Sequence, residues 1–158
     1  MLKRKNLLKT ILALLLFALS AYAEACSRTA ENPAGNHRFW VAANDGTEKV
    51  WHDGANWSCA SGGSGGASTP NSQNKTAVFN SNSSVNVKLN ANVPKIFKLN
   101  LISGYAGTIN LNGKILRTKN NMLINYGTVL VPANSTLQSY KDLYIGTNAT
   151  VTASGDGN

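Results

Sequence analysis

The sequence predicts an all-β protein, a right-handed parallel β-helix (a β-solenoid) of about 21 residues per coil. Short strand patterns recur at nearly constant spacing in the C-terminal half. Apolar and polar residues alternate within each pattern, which is typical of strands with one buried face. After residue 23, Asn, Gly, Ser and Thr are frequent and no helical periodicity is visible.

The repeat comprises three strand patterns. Copies of the first start at Thr108, Thr128 and Thr150, copies of the second occupy 115–118 and 136–139, and copies of the third occupy 122–125 and 143–146. The spacings are 20 and 22 residues for the first pattern and 21 for the others. Weaker copies, of the first pattern at 84–87 and of the third at 98–101, predict two degenerate earlier coils.

Stacking of coils explains why such a repeat would fold. One coil cannot bury its inward Ile, Leu and Val side chains, whereas a stack buries them continuously and pairs each backbone with the next. Asn112, Asn125 and Asn134 stand at corners, where Asn tolerates the left-handed conformation. A sandwich or meander is the alternative, but starting a strand every 6–8 residues leaves very short strands for it.

Residues 1–23 predict a cleaved secretory signal peptide. Its basic residues are Lys3, Arg4, Lys5 and Lys9. An apolar run over 11–19 and a small-x-small site at 21–23 follow, so the mature chain is expected to start near Glu24. A membrane anchor is the alternative, although the run is shorter than the ~20 residues that span a bilayer. Cleavage before Cys26, with lipidation of that residue, is a further alternative.

Cleavage of the signal peptide changes the net charge of the chain and predicts where the mature protein is located. The full chain has fifteen basic and seven acidic residues, and four of the basic ones leave with the signal, so the mature net charge is near +4. This mild excess suits an anionic surface but predicts no nucleic-acid binding. We expect a secreted or cell-surface protein of the bacterial envelope, with no stable membrane span in the mature chain.

The mature chain is expected to have three parts. Residues 24–38 form an irregular lead-in, 39–83 a Trp-rich cap with a Gly-rich loop, and 84–158 the solenoid repeats. In the cap, the Asn44–Gly46 turn signal predicts a hairpin between strands near 39–42 and 47–51. Because no capping pattern follows the last strand, we expect incomplete repeats at the C-terminus, or end-to-end assembly as the alternative.

Two cysteines and three tryptophans are the candidate special residues of the mature chain. In an oxidising compartment Cys26 and Cys59 predict one disulfide, with two unpaired thiols as the alternative. Trp40, Trp51 and Trp57 lie within 18 positions. They predict either a buried aromatic core that caps the first coil or a ligand-binding platform that stacks on sugar rings.

The aromatic segment also resembles the start of bacterial autotransporter-like and adhesin-like surface proteins. Trp51–Ser58 is similar to a W-x-D-x-x-N-W-S stretch, and Phe39–Val41 to the aromatic strand before it. The stretch from Pro70 to Phe79 is similar to a following segment, with Asn74 where an acidic residue is usual. The resemblance implies a secreted, surface-displayed β-helix but no defined ligand. For such a displayed module we expect surface glycans or a host or neighbouring cell surface as partner.

Residues for catalysis are sparse. Asp142 and Asp156 are the only acidic residues in the repeats, and glycoside hydrolysis needs two carboxylates facing one cleft. The sequence therefore predicts a structural or adhesive module without catalytic residues, metal or cofactor. The alternatives are a carbohydrate-binding module and a fragment of a polysaccharide-degrading β-helix enzyme. Outward side chains predicted to meet a partner are Lys114, Arg117, Lys119, Tyr126, Tyr140 and Lys141.

Overall fold

A computed structural model describes residues 26–154. The predicted signal peptide, Glu24 and residues 155–158 lie outside the described residues. The described chain is all-β apart from one 3₁₀ turn, Gly54–Asn56. Its strands are β1 His37–Trp40, β2 Lys49–Val50, β3 Trp57–Ser58, β4 Thr76–Phe79, β5 Val87–Lys88, β6 Val93–Ile96, β7 Lys98–Leu101, β8 Thr108–Asn110, β9 Ile115–Thr118, β10 Met122–Val131, β11 Thr136–Ser139 and β12 Leu143–Ala153.

The strands wind into a β-solenoid of about four turns with three sides. The first side stacks β1, β4, β7 and the first parts of β10 and β12 in parallel. The second side stacks β2, β5, β8 and the last parts of β10 and β12, and the third stacks β6, β9 and β11. β10 and β12 are long because each continues around the corner between the first two sides.

The strand register confirms the predicted repeat. Thr128 pairs with Thr108 in one neighbouring coil and with Thr150 in the other. β9 pairs residue for residue with β11. The register between β10 and β12 shifts beyond Ile124, where one residue faces two, and this extra residue accounts for the spacing of 22 instead of 21.

The predicted hairpin across Asn44–Gly46 is wrong. β1 pairs in parallel with β4, and β2 pairs in parallel with β5, so the turn forms a corner of the first coil. An isolated two-stranded hairpin is marginal in water, whereas pairing with the next coil lets both strands share the interior of the stack.

Apolar side chains fill the interior from coil to coil. Val87, Ile109 and Val129 stack in register on the second side, and all three are fully buried. Burial of each such side chain stabilises the fold by roughly 1.5–3 kcal/mol. Thr118 also lies fully buried on the third side, where its hydroxyl donates to the Asn120 carbonyl oxygen at 2.6 Å. The polar group is therefore satisfied inside the core.

Two of the three predicted corner asparagines adopt the left-handed conformation. Asn112 has φ 49° and Asn134 has φ 62°. The prediction for Asn125 is wrong, because this residue keeps a negative φ within β10, and Gly127, with φ 72°, is the left-handed residue at that corner.

Asn134→Ala is expected to lower the free energy of unfolding by about 1 kcal/mol, because a β-carbon in the left-handed region crowds the following carbonyl. Asn134→Gly relieves that crowding and should stay closer to the wild type. Urea unfolding monitored by circular dichroism measures both variants. Equal destabilisation by alanine and glycine would contradict a conformational role for this residue.

Candidate functional site

The three predicted tryptophans meet in the first coil. β1 carries Trp40, β3 places Trp57 directly opposite it, and Trp51 follows β2. The Phe79 ring, from β4, lies among them with centroid distances of 5.6, 5.9 and 5.5 Å to Trp40, Trp51 and Trp57. We call these four side chains the aromatic cluster.

The aromatic cluster is closed to solvent. All four side chains have 0% exposure. Each indole N–H donates to a backbone carbonyl: Trp40 to Val85 at 3.0 Å, Trp51 to Pro70 at 3.4 Å and Trp57 to Trp51 at 2.7 Å. The prediction of a sugar-binding platform at Trp40, Trp51 and Trp57 is therefore wrong, because no indole face is available to a ligand. The geometry agrees with the alternative, a buried aromatic core.

Polar residues of the Trp51–Ser58 motif stabilise the loop in which they lie. The Asp53 carboxylate accepts from the Ala55 N–H at 2.9 Å and caps the 3₁₀ turn. The Asn56 side-chain amide donates to the Val50 carbonyl oxygen at 3.2 Å. The Ser58 hydroxyl accepts from the Ala60 N–H at 3.3 Å. These contacts stabilise the fold of the motif, since each one satisfies a backbone group in the turn or beside it.

An insertion in the first coil covers the outer edge of the first side. Paired positions Phe39 and Val78 are 39 residues apart, whereas Val78 and its partner in the next coil, Asn100, are 22 apart. The additional residues include the 3₁₀ turn, the Gly-rich loop and β3. β3 pairs antiparallel with β1, so it occupies the edge that would otherwise be open.

The predicted disulfide joins Cys26 to Cys59, with an S–S distance of 2.04 Å and a Cα–Cα distance of 5.2 Å. It fixes the lead-in beside β3. The buried Asn32 amide strengthens this junction, since it donates to the carbonyl oxygens of His37 at 3.3 Å and Cys59 at 3.2 Å. A Cys26 sulfur bonded to Cys59 is not free to carry the lipid considered as an alternative.

A buried arginine stabilises the same region. The Arg38 guanidinium has 0% exposure and donates to the carbonyl oxygens of Ser68 at 3.0 Å and His37 at 2.8 Å, and to the Ser68 hydroxyl. Burial lowers its pKa. Burial, and secondly the charge of Arg38, lower the pKa of Lys75. The guanidinium thus joins β1 to the end of the insertion.

The third side of the solenoid carries most of the free positive charge. We define the basic side as strands β6, β9 and β11 with their flanking corners, and its cations are Lys95, Lys114, Arg117, Lys119 and Lys141. Asp142 is its one acidic residue among the described residues. Within residues 26–154 the ion pairs are Lys49 with Asp45 and Lys88 with Glu48, both away from this side. The five cations are partly or fully exposed.

A groove of about 620 Å³ opens beside the basic side. It is lined by Pro94, Lys95 and Lys119 and by the turn 71–74. The Lys95 ammonium also lies 4.2 Å from the centroid of the Tyr140 ring, which is 54% exposed. We call this cleft the basic groove.

The sequence identified much of this surface, but not the groove. Of the predicted outward residues, Lys114, Arg117, Lys119, Tyr140 and Lys141 are at least partly exposed and lie on the basic side. Tyr126 is also partly exposed, at the corner between the first two sides. Lys95 was not predicted, because strict alternation from the buried Val93 would place it inward, whereas a register irregularity between Val93 and Ile96 leaves both Pro94 and Lys95 outside the core.

Metal ligands and histidines are the remaining candidate groups. In the part of the chain that the structure describes, no three His, Cys, Asp or Glu side chains lie together as a metal site requires. The imidazoles are bound elsewhere, with His37 Nδ1 2.9 Å from the Glu31 carbonyl oxygen and His52 Nδ1 2.9 Å from the Asn90 amide oxygen. Among residues 26–154 no helix has the length and apolarity to cross a membrane.

Comparisons of the chain with models of known protein families, with curated proteins and with solved structures gave no match.

Proposed function

We propose that this chain is an exported structural or adhesive module of the bacterial cell surface, without catalytic activity. The observation that carries the proposal is the parallel stack itself. Each coil binds the next through backbone hydrogen bonds and a shared apolar interior, so the solenoid is a stiff body that holds outward side chains at fixed spacing.

Three further features support export and display. The signal-peptide pattern over residues 1–23 directs the chain out of the cytoplasm. A disulfide between Cys26 and Cys59 suits an oxidising compartment. The resemblance of residues 39–79 to the start of autotransporter-like and adhesin-like proteins is consistent with display on a surface. Partners of the module would then be glycans or other components of a neighbouring surface.

Export is tested by expressing the full chain in a bacterial host and sequencing the N-terminus of the product outside the cytoplasm. We expect the mature protein to start near Glu24. Leu15→Arg should retain the chain inside, because a charge interrupts the apolar run, whereas Leu15→Ile should be exported normally. Recovery of uncleaved wild-type chain in the cytoplasm would contradict the proposal.

Adhesion is tested with beads that carry the mature chain. Coated beads are expected to remain on bacterial or host cell layers under flow, and beads coated with an unrelated protein of the same net charge serve as the control. Equal retention of the two kinds of bead would show that this chain has no adhesive role of its own.

A further inference from the structure

The geometry points to the basic groove as a binding site for an acidic polysaccharide, a chain of sugar rings that carries carboxylates. This inference rests on the proposed function and names the class of partner that the surface module would hold. Three observations carry it: the distribution of charge, the placement of cations on successive coils and the chemistry of the residues that line the groove.

Charge is strongly asymmetric along the molecule. Residues 26–83 contain four basic and four acidic side chains, whereas residues 84–154 contain seven basic and one acidic. Five of those seven cations belong to the basic side. The mature chain, with its mild net charge, therefore has a concentrated positive surface, which attracts and orients polyanions.

The solenoid places cations on successive coils of the third side. β6 and β9 are neighbours, so Lys95 and Arg117 lie on successive coils, whose strands are separated by roughly the 4.8 Å of a parallel sheet. The next position in this row is Gln138, which accepts from the Arg117 guanidinium at 2.9 Å. Thr118 pairs with Ser139, so Lys119 is level with Tyr140, and Lys141 lies one position further along. Cations spread over three coils match a polymer with repeated negative charges better than they match a single small anion.

The groove walls supply the chemistry of sugar recognition. Amide groups of Asn71, Gln73 and Asn74 can both donate to and accept from hydroxyl groups, while the ammonium groups of Lys95 and Lys119 bind carboxylates. Nucleic acid is the weaker match, since base stacking uses aromatic platforms for successive bases, and on this side the Lys95 ammonium already lies over the Tyr140 ring.

The test is binding of the mature chain to polygalacturonate, with dextran as the neutral polymer and single-stranded DNA as the competing polyanion. Wild-type protein should bind polygalacturonate, bind it less as salt rises, and show no affinity for dextran. The double variant Lys95→Gln, Lys119→Gln should bind about tenfold more weakly, because two charge-assisted contacts are lost. The matched control, Lys49→Gln with Lys88→Gln, makes the same change in net charge on another side and should lose less than about twofold.

Three outcomes would overturn the inference: no binding to polygalacturonate, equal losses in the two double variants, or tighter binding to DNA than to polygalacturonate at equal charge concentration. Circular dichroism confirms that each variant is folded. Bead adhesion without polygalacturonate binding would reject this ligand class and leave the proposed adhesive function intact. Polygalacturonate binding without bead adhesion would reject the adhesive role instead.

Discussion

Replacing Trp57 by alanine is expected to lower the free energy of unfolding by about 3–5 kcal/mol, the cost of removing a large aromatic side chain from a packed core. The Trp57 ring contacts Trp40, Trp51 and Phe79, and its N–H binds the Trp51 carbonyl oxygen. Its loss therefore leaves a cavity and an unpaired carbonyl group in the same place. Chemical denaturation of the mature chain, monitored by far-ultraviolet circular dichroism, measures the change.

The matched control for this variant is Tyr144→Ala. Tyr144 lies on β12, its side chain is 49% exposed, and truncation should change stability by less than about 0.5 kcal/mol. Similar losses in the two variants would contradict the burial of the tryptophan. If Trp57→Ala changed glycan binding but not stability, the tryptophans would act as a sugar-binding platform, contrary to their burial in the structure.

Removing the disulfide should have the second large effect. The double variant Cys26→Ser, Cys59→Ser is expected to lose about 3–4 kcal/mol, because the crosslink closes a loop with a sequence separation of 33 and so restricts the unfolded chain. Guanidinium denaturation without reductant measures the difference between variant and wild type.

Reductant supplies the control for the disulfide. Reduced wild-type protein should approach the stability of the double-serine variant, and the variant itself should not respond to reductant. A wild type whose stability is the same with and without reductant would contradict the Cys26–Cys59 bond.

The solenoid repeat could be predicted because its evidence is local. Strands such as 115–118 and 136–139 share a pattern at a fixed spacing, and the structure pairs them residue for residue. The prediction of a hairpin at Asn44–Gly46 was wrong because a hairpin and a solenoid corner need the same tight turn. The two structures differ in the strand that pairs with β2: Lys49 pairs with Val87, 38 residues further along the chain.

The candidate site was predicted less completely, for a related reason. The tryptophan spacing indicated a cluster but could not show that Phe79, from the next coil, would lie at its centre. Alternation along a strand indicated that Arg117 and Lys119 face outward. Lys119 shares the groove with Lys95 and the turn 71–74, and Arg117 lies on the strand next to Lys95. These contacts depend on the stacking of coils and on the path of the insertion, which no local pattern contains.

The covered edge at β1 has a consequence for the order of folding. With β3 on its outer edge, β1 can add new strands only on the β4 side, so the first side of the solenoid grows in one direction. Closing the 39-residue first coil costs only about 0.5 kcal/mol more in loop entropy than closing the 22-residue second one. The aromatic cluster and the disulfide compensate that cost at the starting point. The first coil is thus suited to act as a nucleus, and each later coil folds on a template that already exists.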